Sequence, residues 1–146
     1  MFARTPAIRQ YAKVGVESQV LGAGDHQLIA LLFDGAIEAI DRAHSFRKAG
    51  NSAESVAMLG RARNIVVEGL RAGLNRQRGG DLAVKLDQLY DFIIRRLVVA
   101  GSGDPRAFDD ARNLLDELRS AWTQIDPQRR TQATAPNAAQ QLYALS

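Results

Sequence analysis

The sequence contains no proline between Pro6 and Pro105, and this long uninterrupted stretch is the feature that most limits the possible folds. A β-rich domain of similar length would need many turns, in which proline is common. Alanine and leucine, moreover, far outnumber threonine and the aromatic residues that favour strands. We therefore predict an all-α protein. With 146 residues, the chain has the length of one domain and can bury a core without disulfides or metals.

Four long helices can be delimited by their apolar spacing and by their start and stop residues. Asp25, Asn51, Asp81 and Asp104 are N-cap residue types, and glycines follow the ends of the first three helices. Pro105 strengthens the start of the fourth helix, because proline is favoured in a first turn. The predicted helices cover residues 25–49, 52–78, 81–100 and 104–125. Since they are similar in length and joined by short connections, they predict an antiparallel up-down-up-down four-helix bundle.

The predicted bundle domain, residues 1–126, begins with an extra short helix within residues 5–20. Ile8 and Tyr11 give this helix a small apolar face, and a glycine-containing stretch links it to the bundle. A segment this short cannot be stable alone and must pack on a surface. We expect it to act as an N-terminal lid that covers part of a binding groove; the alternative is that both side chains are permanent core.

Residues 127–146 form a polar, glutamine-rich segment that proline interrupts, and we predict a flexible tail. Leu142, Tyr143 and Leu145 are its potential docking point. The strictly apolar runs are far shorter than a membrane span needs, so we expect no membrane insertion. The absence of cysteine excludes disulfides and suits a cytoplasmic location.

The sequence shows no catalytic, cofactor or metal motif, and we predict that the protein is not an enzyme. Asp41 and His44 have the Asp-x-x-His spacing nearest to a di-iron ligand pair, but no second copy of the motif exists. The net charge of +3 is too small to indicate a nucleic-acid partner, and we expect none. The alternative is a nucleic-acid-binding bundle that uses the arginines of the second helix: Arg61, Arg63, Arg71, Arg76 and Arg78.

Two similar motifs, Leu-Phe-Asp around Phe33 and Leu-Tyr-Asp around Tyr90, occur at similar heights of the first and third predicted helices. Each aromatic residue lies beside the main apolar stripe of its helix and widens the apolar arc. The pair either thickens the core or lines a groove that accepts an amphipathic segment, with two aspartates on its rim. The predicted groove consists of Leu28, Phe33, Asp34, Tyr90, Asp91 and Ile94.

Five sequence blocks resemble the flagellar secretion chaperone family (FliS-type), in the order that family shows. They are Gln27-Leu28-Ile29, Leu32-Phe33-Asp34-Gly35-Ala36-Ile37, Gly79-Gly80-Asp81-Leu82-Ala83, Leu89-Tyr90-Asp91-Phe92-Ile93 with Arg96-Leu97, and Leu118-Arg119 with Trp122. The resemblance covers roughly residues 11–125. It implies a cytoplasmic helical bundle that binds the C-terminal segment of flagellin, prevents premature polymerisation and delivers flagellin to the flagellar type III export gate.

Overall fold

The structure, a computed structural model, describes residues 25–125 and Tyr143. These residues form helices and no strand, which confirms the all-α prediction. The α-helices are α1 (Asp25–Lys48), α2 (Ser52–Asn64), α3 (Arg76–Ala100) and α4 (Pro105–Thr123). A π-helical segment, Ile65–Arg71, continues α2 directly and completes the second helix of the bundle. The predicted lid with Ile8 and Tyr11, the boundary at residue 126 and the tail other than Tyr143 lie outside the described residues.

Ion pairs between α1 and α4 show that these two helices are antiparallel. Asp34 pairs with Arg119. Two turns later on α1, Asp41 lies 3.3 Å from Arg112, which is two turns earlier on α4. α1 packs mainly against the second helix and α4, whereas α3 packs mainly against α4 and the π-helical segment. α1 and α3 therefore stand at opposite corners of an up-down-up-down bundle.

The start of α4 follows the predicted chemistry, while the start of α2 does not. The Asp104 carboxylate accepts a hydrogen bond of 3.0 Å from the backbone N–H of Arg106, and Pro105 occupies the first turn. Asn51 precedes α2 as predicted, but its side chain makes no capping hydrogen bond. The backbone turn before α2 instead depends on Gly50, whose φ of 82° is unfavourable for other residues.

The boundary between the second and third helices differs from the prediction of residues 52–78 and 81–100. The second helix ends at Arg71, and α3 begins at Arg76. Asn75 makes this earlier start possible, because its side chain accepts a hydrogen bond of 3.1 Å from the N–H of Arg78. The predicted break at Gly80 is real, with φ 53° and ψ −128°, but it kinks α3 near its start and does not separate two helices of the bundle.

The core includes side chains that the sequence predicts beside the main apolar stripe of each helix. Tyr90 and Phe33 are core residues at 0% and 3% exposure, whereas Leu89 is only partly buried. On α2, Ser55 is buried and its hydroxyl donates a hydrogen bond of 2.7 Å to the carbonyl of Ala43, while Val56 is 52% exposed. These helices carry apolar residues on two adjacent faces, so the spacing of apolar residues alone does not identify the face that packs inwards.

We expect opposite effects of alanine at two glycines of the second and third helices. Gly80→Ala should destabilise the protein by about 1–3 kcal/mol, because its φ of 53° is costly for a residue with a Cβ. Gly60→Ala should stabilise it by up to about 1 kcal/mol, because glycine weakens a helix and an added Cβ meets no atom within 4 Å. Thermal or urea unfolding of the two variants measures both changes. Equal stability of the two variants would contradict the backbone conformation at Gly80.

Candidate functional site

The residues of the predicted groove do not lie together on one open surface. Leu28, Phe33 and Tyr90 are at most 3% exposed and belong to the core, and Ile94 packs partly buried against it. Because α1 and α3 stand at opposite corners of the bundle, the apolar side chains that both helices direct inwards meet in the core. The binding role of these residues stays a prediction, but the geometry of a groove shared by α1 and α3 is not observed.

The two aspartates of the predicted rim face different neighbours. Asp34 pairs with Arg119 of α4. Asp91 lies 3.2 Å from Arg95 on the same helix and 4.0 Å from Arg71 of the π-helical segment. Each carboxylate therefore belongs to a separate ion-pair network, on a separate side of the bundle.

Exposed apolar side chains mark a different surface. Within residues 25–125, every large apolar side chain that is exposed lies on α2 or α3. They are Val56 on α2 and Leu82, Val84, Phe92, Val98 and Val99 on α3. Val56 and Val98 lie together at one groove, and adjacent exposed apolar residues are typical of an interaction surface, whereas isolated ones are not.

The groove between α2 and α3 is the part of this surface with a defined shape. It has a volume of about 200 Å³ and is lined by Val56, Leu59, Gly60, Arg63, Leu97, Val98 and Gly101. Leu59 and Leu97 are nearly buried and form its floor, while Val56 and Val98 are more than half exposed at its edges. Gly60 leaves open space in one wall, since a Cβ there would meet no atom within 4 Å. The groove is smaller than most small-molecule sites and fits apolar side chains of a docking peptide.

A larger groove, with a volume of about 710 Å³, runs between α1 and α4. Its walls carry the pairs Asp34–Arg119 and Asp41–Arg112, and Asp116 lies 3.8 Å from both arginines. Arg112 and Arg119 therefore pair with three of the four carboxylates that line it. We therefore assign it to the contact between α1 and α4, despite its greater volume.

An ion-pair network positions the side of α3 that faces the π-helical segment. The Asp87 carboxylate accepts hydrogen bonds of 2.8 Å from Arg71 and 2.7 Å from Arg76. The hydrogen bond from Arg71 lowers the pKa of Asp87 most, partial burial opposes this shift, and Arg76 adds to it. The same carboxylate raises the pKa of Arg71. The network ties the end of the second helix to both sides of the kink at Gly80.

An aromatic cluster closes the end of the bundle where α1 begins and α4 ends. The ring of His26 stacks on Trp122 with centroids 4.8 Å apart, and the Trp122 indole N–H donates to the carbonyl of His26 at 2.8 Å. Tyr143 packs edge-on against Trp122 at 5.2 Å and shares a buried hydrogen bond with the hydroxyl of Tyr90. Burial raises the pKa of both tyrosines, so both hydroxyls are neutral at physiological pH.

The residues considered for metal chemistry have structural partners. Asp41 pairs with Arg112, and His44 stacks on Phe108 with centroids 4.6 Å apart. In the part of the chain that the structure describes, no group of three or more His, Cys, Asp or Glu side chains could hold a metal ion. Between residues 25 and 125, no helix combines the length and the apolar character needed to cross a membrane.

Comparison with known proteins decides what kind of bundle this is. Residues 7–129 match the family model described as "Flagellar protein FliS". The chain belongs to the FliS family. FliS proteins are chaperones of flagellar secretion and not enzymes, which agrees with the predicted function class.

Three relatives illustrate the similarity. The flagellar secretion chaperone FliS of Salmonella typhimurium is 44% identical over 82% of this chain and 90% of its own length. The protein of the same name from Vibrio cholerae is 37% identical over 84% of this chain and 90% of its own length. FliSB of Pseudomonas aeruginosa, also a flagellar secretion chaperone, is 39% identical over 82% of this chain and 94% of its own length.

Sequence reasoning missed two features of this FliS-family bundle. The α2–α3 groove is not evident from the sequence, because Val56 has the three-residue spacing to Leu59 that is typical of a core stripe. The sequence does not show whether Ser55 or Val56 faces the core together with Leu59, and in the structure Ser55 does. The contact between Tyr143 and Tyr90 is not predicted, because the two residues are far apart in sequence, although Tyr143 belongs to the potential docking point of the tail.

We expect Asp87→Asn to weaken the FliS-family bundle at neutral pH by up to about 1 kcal/mol, because the ion pairs are partly exposed. The pKa of folded Asp87 lies below its ordinary value of 3.8, so the stabilisation exists at neutral pH and is lost as the pH falls through the folded-state pKa. The difference between wild type and variant should therefore shrink on acidification. Urea unfolding at several pH values measures it. Asp109→Asn, on exposed α4 surface, is the control, and a pH-independent difference would contradict this role.

Proposed function

We propose that this chaperone binds the C-terminal segment of flagellin in the cytoplasm, prevents its premature polymerisation and delivers it to the flagellar type III export gate. The observation that carries the proposal is the confinement of exposed large apolar side chains, among the described residues, to α2 and α3. A chaperone of flagellar secretion needs a surface for an export substrate, and these two helices supply the apolar one.

The α2–α3 groove fits an amphipathic segment better than a folded domain. Val56 and Val98 stand at its edges, with Leu59 beneath them and the open space at Gly60 between turns of α2. Side chains spaced three or four residues apart on a client helix can enter such a groove. Arg63 at the rim adds a positive charge that suits an acidic residue on the polar face of the client.

Val84 and Phe92 are also exposed, and both lie nearer the start of α3 than the groove does. A client that covers this length must follow α3 for several turns, which an unfolded segment can do by ordering on the chaperone. Asp91 and Ile94 lie on the same helix, so their predicted binding role remains part of this proposal. Ile8 and Tyr11 remain a proposed lid over part of the client surface.

The nucleic-acid alternative receives less support from the arginines of the second helix. Asp87 engages Arg71 and Arg76, so these side chains do not extend a free basic patch from Arg61 and Arg63. Affinity for nucleic acid would fall steeply with salt, since phosphate contacts release counterions. Binding to flagellin that changes little between low and physiological salt would favour the chaperone.

We expect one chaperone to bind one flagellin, and deletion of the flagellin C-terminal segment to abolish binding. Ordering of this segment on apolar surface should give a clearly negative heat-capacity change. Isothermal titration calorimetry at several temperatures measures the stoichiometry, affinity and heat capacity together. Equal binding of the truncated flagellin would overturn the assignment of the client segment.

We expect Val56→Asp and Val98→Asp each to weaken flagellin binding by about tenfold or more, because a carboxylate at the interface loses hydration without gaining a partner. Both side chains are more than half exposed, so the variants should keep their melting temperature. Ala121→Asp, on the exposed side of α4, is the matched control and should bind normally. Full affinity of both valine variants would place the client elsewhere.

A further inference from the structure

The guanidinium group of Arg47 joins two connections at one end of the bundle. Arg47 belongs to the last turn of α1. One of its terminal nitrogens donates a hydrogen bond of 2.8 Å to the carbonyl oxygen of Gly101, which follows the end of α3. The other terminal nitrogen donates to the hydroxyl of Ser52, the first residue of α2, at 3.4 Å. A side chain of α1 therefore contacts the end of α3 and the start of α2 at the same time.

Both contacts lie at one end of the α2–α3 groove. Gly101 itself lines the groove, and Val98 lies on the same wall three residues earlier. On the opposite wall, Val56 follows Ser52 by one turn of α2. Because residues three or four apart are neighbours on a helix, a displacement of Gly101 or Ser52 also displaces the nearby valine. Arg47 thus connects the two walls without lining the groove.

The two walls of the groove need such a connection because they contact each other sparsely. α2 packs much less against α3 than against α1. At the far end of the second helix, Arg71 and Asp87 join the π-helical segment to α3 at 2.8 Å. At the near end, Arg47 makes the corresponding connection through its two hydrogen bonds. The separation of the walls at this end therefore depends on Arg47.

The contacts of Arg47 position the backbone more than they stabilise the fold. Its Nε atom is buried and has no hydrogen-bond partner among the described residues, and a buried N–H without an acceptor destabilises the folded state. An unbranched apolar side chain would avoid this loss. What arginine adds is a planar group that donates in two fixed directions. The turn after α3 also lies against this group, since a Cβ on Gly103 would lie 3.7 Å from a terminal nitrogen of Arg47.

We propose that Arg47 is a positioning residue of the α2–α3 groove. By holding Gly101 and Ser52 at a fixed separation, it keeps Val98 and Val56 in the arrangement that binds the client. The client of the groove rests on the proposed function. The fixed separation of the two walls does not rest on it and can be tested without flagellin.

The first experiment follows the client-free protein by NMR. Arg47→Met removes both hydrogen bonds but keeps an unbranched stem that can pack in the same place. It should accelerate amide hydrogen exchange at Gly101 and shift the methyl resonances of Val56 and Val98. Arg42→Met, at an exposed position of the same helix, is the matched control and should change neither valine. Unchanged valine resonances in Arg47→Met would overturn the positioning role.

The second experiment measures the affinity for a synthetic peptide of the flagellin C-terminal segment. Arg47→Met should weaken binding about fivefold in the wild-type background but less than about twofold in Val98→Ala, because both substitutions disturb the same wall. Arg47→Lys keeps a donor for Gly101 but cannot donate in two fixed directions, so it should recover part of the affinity. Arg42→Met should bind like the wild type.

A purely structural role of Arg47 gives a different result. The melting temperature of Arg47→Met would then fall strongly, and the loss of affinity would be equal in the wild-type and Val98→Ala backgrounds. That result would overturn the proposal, as would wild-type affinity of Arg47→Met. If Arg47→Met does not fold, Ser52→Ala takes its place, because Ser52 is exposed and its loss breaks only the bond to α2. Unchanged Val56 resonances in Ser52→Ala would overturn the proposal.

The two experiments also separate this proposal from the proposed function. If the wild-type protein did not bind the flagellin peptide, the proposed function would fail. The valine resonances of the client-free protein would still decide whether Arg47 positions the walls of the groove.

Discussion

The burial of α1 is the constraint on which the positions of the other helices depend. Nine of its 24 residues are buried, and several of them are adjacent pairs such as Leu32 with Phe33 and Ala36 with Ile37. Adjacent residues point about 100° apart on a helix, so a single neighbour cannot cover both. The second helix covers one side of α1 and α4 covers the other. The reciprocal hydrogen bonds between His26 and Trp122 join the start of α1 to the end of α4.

α3 completes the core from the opposite corner and is less deeply buried. Five of its 25 residues are buried, from Ala83 to Ala100, and the most exposed apolar side chains stand on its remaining surface. Tyr90 and Ile93 belong to the inner face and Phe92 to the outer one. The bundle thus combines a helix that organises the core with a helix that offers apolar surface. Under the proposed function, a client that binds α3 would leave the packing around α1 undisturbed.

The π-helical segment and the kink at Gly80 determine how α3 enters the bundle. Asp87 holds Arg71 from one side of the connection and Arg76 from the other, so the path of the backbone is constrained by charge as well as by packing. π-helical turns are often found at functional sites. Here the segment packs against α3 and brings Arg71 to within 4.0 Å of Asp91.

Within residues 25–125, the amino-acid sequence determined the helical class, the number of bundle helices and the start of α4, because these depend on local properties. The relevant signals act within one or two helical turns: the lack of proline, the helical spacing of apolar residues and the Asp104-Pro105 helix start. The break at Gly80 is also local and was predicted, but it was predicted as a helix boundary, whereas Gly80 lies at a kink within α3 because Asn75 provides an earlier helix start. The tertiary structure alone decided which of two adjacent apolar faces packs inwards, since Val56 and Leu89 have the spacing of core residues. It alone placed Asp34 and Asp91 on different sides and brought Tyr143 to Tyr90, because contacts between distant residues depend on how complete helices pack.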